Sequence, residues 1–123
     1  MAKIYVEFGL EVFDKTLIKY CYDTMKLLGN IKIQETRRNT TIIDYSTSPK
    51  DIIDLEILSD EICSKIEPVK SELKHLIAEF SDKVYSDICF VKVSDEKDLS
   101  IKINKRLISL VNALNIEIQF DGF

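Results

Sequence analysis

The sequence predicts an α+β domain built as a two-layer sandwich: a mostly antiparallel sheet with helices on one face, ferredoxin-like in character. Three observations lead there. Several short segments alternate apolar and polar residues with the period of two that a half-buried strand requires. Several others place apolar residues three and four apart, the spacing of an amphipathic helix. The chain has 123 residues, 46% of them hydrophobic, which is enough to fill one interior without disulfides or metals. A single domain over 1–123 follows.

The first segment, Lys3 to Phe8, sets Ile4, Val6 and Phe8 on one side and Tyr5 and Glu7 on the other, which predicts a strand with one wetter face. After Gly9, Asp14 is a good N-cap for a helix carrying Leu17, Ile18, Cys21, Met25 and Leu28, with Gly29 placed to end it. Ile31 and Ile33 begin a second strand, Glu35 to Asn39 form a turn, and Thr41, Ile42, Ile43 and Tyr45 return as a third strand in a hairpin. Ser48-Pro49-Lys50-Asp51 reads as a helix entrance, with a capping serine, proline in the first turn and an acid behind it. That helix is expected to run to about Ile66 through Leu55, Leu58 and Ile62. Pro68 cannot continue it but can open the next, striped by Val69, Leu73, Leu76, Ile77 and Phe80.

Val84 to Val93 reads as a central strand, apolar on both sides through Ile88, Cys89, Phe90 and Val91. A turn at Ser94 to Asp98 leads to a predicted fifth strand through Leu99, Ile101 and Ile103. Asn104 then caps a helix packing through Leu107, Ile108, Val111 and Leu114, and Ile116, Ile118 and Phe120 form a last strand. The expected order is βαββααββαβ.

Composition narrows the function classes. A net charge of −4 argues against nucleic acid as a partner, since phosphate binding relies on clustered Lys and Arg. No apolar run reaches the ~18 residues of a membrane span, and the alternating amino terminus lacks a secretory leader, so a cytoplasmic location is expected. The isoleucine-rich, glycine-poor composition suggests a bacterial source with AT-rich coding. Cys21, Cys63 and Cys89 are too widely spaced for a metal knuckle or redox pair and read as reduced, buried hydrophobes. No metal and no cofactor is expected.

Candidate sites are few. Between Asp51 and Glu67 the acids Asp51, Asp54, Glu56, Asp60, Glu61 and Glu67 face only one base, Lys65. The outward acids Asp54, Glu56, Asp60 and Glu61 are the candidate docking surface for a basic protein, against the plainer reading of a solvated helix face. Arg37 and Arg38, beside Thr36, Thr40 and Thr41, could hold an anion, although a soluble turn explains them as well. Glu7 and Glu117 are candidates to share the open sheet face. His75, the only histidine, falls off the apolar stripe between Glu72 and Glu79, which predicts an exposed helix position and leaves the hydroxyls of Ser46, Thr47 and Ser48 without a base.

The chain also resembles a known family, the bacterial domain of unknown function 4279. The likeness rests on Ile4-Tyr5-Val6-Glu7-Phe8, Phe13-Asp14, Leu28-Gly29, Tyr45-Ser46-Thr47, Glu67-Pro68 and the closing Asp121-Gly122-Phe123. The family's tryptophan ahead of its Ser/Tyr-Thr pair is absent, Asp44-Tyr45 standing in its place. The resemblance implies no assigned activity; small acidic bacterial proteins of this type look similar to immunity proteins that bind and neutralise a toxin. The expected function is a non-catalytic protein-interaction module, monomeric or homodimeric, of that immunity type, holding its partner with the acidic second helix and the exposed sheet face. The alternative is a small-molecule or anion-binding domain, with or without weak enzymatic activity, centred on Arg37, Arg38 and the open sheet face.

Overall fold

The computed structural model describes residues 2–94 and 101–123, and its first element is longer than the sequence suggests. Strand β1 runs from Ala2 to Val12, because Leu10 and Val12 extend the buried series of Ala2, Ile4, Val6 and Phe8 without a break. Gly9, read as the end of this strand, lies inside it. A 3-10 turn at Lys15–Leu17 leads into α1 (Ile18–Met25), with Asp14 accepting hydrogen bonds from the backbone N–H and hydroxyl of Thr16. The expected cap at Asp14 is therefore present, and Gly29, at φ 122°, ends the helical stretch as expected.

The hairpin forms from β2 (Lys32–Glu35) and β3 (Thr41–Ser46). The next element corrects the sequence reading: Ser48-Pro49-Lys50-Asp51 is no helix entrance. Lys50–Ile52 is a short strand, β4, paired antiparallel with Ala2–Ile4. The physical reason lies in β1. β3 accompanies it only as far as Glu7, which leaves the backbone of Ala2 to Ile4 without a partner on that side. The chain bends at Thr47, whose N–H donates to the Val6 carbonyl and whose hydroxyl accepts from the Val6 N–H, and returns to pair with the exposed stretch. Helix α2 starts only at Glu56, whose N–H donates to Asp54 Oδ1, and ends at Ile66. Across Glu67–Val69 the chain passes into α3 (Lys70–Glu79), Pro68 sitting where its missing N–H costs nothing.

Strand β5 (Val84–Lys92) pairs antiparallel with β1 along nearly its whole length. The predicted fifth strand does not appear as such: Leu99 and Ser100 lie outside the described residues, and Ile101 to Ile103 are not in a strand. Ile103 instead packs against the core as the lead-in to α4 (Lys105–Leu114), which Asn104 caps by accepting from the Leu107 N–H. The last strand, β6 (Glu117–Asp121), runs parallel to β5, so β5-α4-β6 is a crossover unit. The order among the described residues is thus βαβββααβαβ, with one strand gained at Lys50–Ile52 and one not formed at Ile101 to Ile103.

The result is an α+β fold with a six-stranded, mostly antiparallel sheet ordered β2-β3-β1-β5-β6, with β4 beside β1. Helices α1 and α2 pack on β1, α3 packs on β5, and α4 bridges α2 and α3. The even-numbered side chains of β1 enter this layer with Ile43, Tyr45, Ile88 and Phe90, around fully buried Leu58, Ile62, Leu73 and Leu76. The odd-numbered positions of β1 face the other way, Lys3 exposed and Tyr5, Glu7, Gly9 and Glu11 half-buried. No helix of the described residues is long and apolar enough to cross a membrane.

Candidate functional site

The side of the sheet away from the helices collects carboxylates. The pleat sends Glu7, Gly9 and Glu11 of β1 to that side, together with their register partners Ser46 and Cys89, Asp44 and Asp87, and Ile42 and Tyr85. Glu117 stands opposite Asp87, and Gln119 opposite Cys89. Gly9 is the centre of this arrangement, with Asp44 on one neighbouring strand and Asp87 on the other. Having no side chain, Gly9 leaves a depression of about 370 Å³ between them, walled by Glu7, Glu11, Gln34 and Tyr85. A Cβ there would meet only ordinary contacts at 3.5 Å from Asp44 and 3.9 Å from Asp87, so backbone geometry does not demand the glycine. Its effect is to hold the space open.

The electrostatics follow from crowding. Burial, then the charges of Glu117 and Glu11, push the Asp87 carboxyl up to about 6. Glu7 is raised by burial and by Asp44, against a weak opposing bond from the Ser46 hydroxyl at 3.4 Å. Burial also raises Asp44, with Lys32 across the hairpin pulling the other way. The Oδ1 of Asp44 is shielded from solvent and has no hydrogen-bond partner among the described residues. None of Glu7, Asp44 and Asp87 has a basic group within ion-pair distance among the described residues. Glu11 differs, since it takes the Arg38 guanidinium at 2.9 and 3.2 Å and the Thr40 hydroxyl at 2.6 Å. At the far edge the Tyr85 hydroxyl donates to Glu117 and accepts from Gln119.

The residues singled out in the sequence fare differently. Asp54 caps α2, Asp60 accepts from the Asn104 amide at 2.9 Å, and Glu61 forms an ion pair with Lys50. Arg106 of α4 reaches Glu67 at 2.7 Å and approaches Asp60 at 3.6 Å. Asp60 and Glu61 therefore hold the domain's own elements together, Asp54 is engaged locally at the start of α2, and Glu56 is the one exposed without a side-chain bond among the described residues. Arg38 pairs with Glu11, and both Arg37 and Arg38 are exposed. His75 stands on the α3 surface, 67% exposed, 2.7 Å from Glu79. Cys21 and Cys63 are buried, and burial pushes all three thiols up to about 11. No group of His, Cys, Asp or Glu among the described residues has the geometry of a metal site.

Glu7 and Glu117 do share the open face, as expected, but β5 separates their strands. Sequence reasoning missed Asp44 and Asp87 as a pair. Their signal was a glycine in mid-strand with acids at the outward phase of two other strands, legible only once the register is known. No family model, no curated protein and no solved structure matches the chain.

Proposed function

We propose that the protein is a non-catalytic interaction module of the bacterial cytoplasm, a two-layer scaffold of ferredoxin-like character whose bare sheet face holds a basic segment of a partner protein. In the form implied by the resemblance to the domain of unknown function 4279 family, the partner is a toxin that the module neutralises. The observation that carries the reading is the trio Glu7, Asp44 and Asp87 around Gly9, half-buried and without an ion-pair contact among the described residues, Lys32 acting on Asp44 only at longer range. Carboxylates held in that state repel one another and are poorly solvated, so an incoming Lys or Arg relieves two costs at once through charge-assisted hydrogen bonds. The same negative field speeds encounter with a basic partner and disfavours an acidic one.

A raised carboxyl is also what acid–base catalysis uses. Binding is favoured over catalysis because the Cys89 thiol on this face is held protonated by burial and by Asp87, and the only histidine, His75, stands on the surface of α3. The test is affinity capture from bacterial cells with the wild-type chain and with the combined Glu7→Gln, Asp44→Asn, Asp87→Asn variant as paired baits. A basic protein retained by the first and lost by the second, and released by salt, supports the reading. Equal retention by both baits would remove the sheet face from consideration and return attention to Glu56.

A further inference from the structure

We infer that the cleft where the carboxyl ends of α3 and α4 meet the start of β5 binds a small organic amine, an ammonium group carried on a compact apolar body. The cleft lies at the end of the sheet where β5 and β6 begin, reaching from the helix layer to Tyr85 and Glu117 at the rim of the acidic face, and has a volume of about 500 Å³, within the ~300–1,000 Å³ of small-ligand sites. Ile77, Leu114 and Ile116 give it apolar walls. On its sheet side stands Ser86, only 6% exposed, whose hydroxyl has no hydrogen-bond partner among the described residues. An unpaired buried hydroxyl costs free energy that a bound donor recovers.

The charge of the ligand follows from the helix ends. Both α3 and α4 border the cleft with their carboxyl-terminal turns, where the helix dipole is negative and the last carbonyls lack helical partners. In α4, left-handed Asn115 donates to the Val111 and Asn112 carbonyls, which leaves those of Ala113 and Leu114 without a backbone donor among the described residues. A cluster of acceptors above an apolar floor selects an N–H donor that is positively charged. Lys74 and Glu117 also line the cleft, both exposed, and in this assignment the ammonium is directed to Ser86 and away from Lys74.

The experiment is titration of the full chain with 2-phenylethylamine and, separately, with 3-phenylpropionate, which has a similar apolar body and the opposite charge, followed by amide NMR shifts. Saturable shifts at Ser86, Leu114 and Ile116 with the amine alone are expected. Ser86→Ala, which removes the unpaired hydroxyl and leaves the fold intact, should weaken the amine about tenfold, the loss of one charge-assisted hydrogen bond. Ala78→Trp, placed on the exposed side of α3 at the mouth, should abolish it. Tighter binding of the acid, silence with both probes, or an amine affinity unchanged by Ser86→Ala would each overturn the assignment.

Discussion

Replacing Asp87 by Asn should stabilise the protein at neutral pH. The Asp87 carboxyl is pushed up to about 6 by burial and by Glu117 and Glu11, so at pH 7 the fold holds it ionised against its preference. A rise from the usual 3.8 to about 6 corresponds to roughly 3 kcal/mol for a fully enclosed group. Asp87 is only half-buried, and screening by water reduces this to about 1–2 kcal/mol. For a domain of this size that is roughly 4–8 °C in melting temperature. The sign with pH comes from linkage. Between about pH 6 and 4 the folded state binds a proton at Asp87 that the unfolded chain does not, so wild-type stability rises as pH falls through that window. Glu7 and Asp44, also raised, add to the effect. Asp14 and Glu67, both held below the usual carboxylate range by hydrogen bonds, work the other way as pH falls through their ordinary values of 3.8 and 4.5, at the acid end of the window. Thermal melts of wild type and Asp87→Asn from pH 7.5 to 4.5 provide the assay. The variant should start higher and gain less on acidification. Equal melting temperatures at pH 7.5, with parallel profiles below it, would refute the account of a crowded carboxylate trio without ion-pair contacts.

Two other perturbations have definite expectations. Gly122, at φ 82°, lies so close to the Lys92 carbonyl that an added Cβ would collide with it, so Gly122→Ala should cost on the order of 1–3 kcal/mol in urea unfolding. Because Asp60 and Glu61 serve Asn104, Arg106 and Lys50, reversing both to Lys should destabilise the domain by about 1–2 kcal/mol, whereas Glu56→Lys should stay within ~0.5 kcal/mol of wild type in the same measurement.

The fold was legible where one periodicity acts alone. The stripe Leu73, Leu76 and Ile77, the caps at Asp14 and Asn104, and the alternation of Ile4, Val6 and Phe8 each name an element whose own face meets the core. It was illegible where a partner decides. Ser48-Pro49-Lys50-Asp51 carries helix-entry residues, yet the unpaired backbone of Ala2 to Ile4 recruits Lys50–Ile52 as a strand. Ile101 and Ile103 alternate like a strand, but β5 already has β1 on one side and β6 on the other. The site suffered in the same way. Charge density along the chain directed attention to Asp54, Glu56, Asp60 and Glu61, whereas density in space gathers Glu7, Asp44 and Asp87, which lie far apart in sequence and meet only through strand order.

The most direct measurement of the central claim is an amide NMR titration of the chain with a short peptide rich in Lys and Arg, at low and at high salt. The account predicts shifts centred on Gly9, Asp44 and Asp87 that saturate at low salt and fade at high salt. Shifts confined to α2 around Glu56, or scattered evenly over the acidic surface, would contradict it.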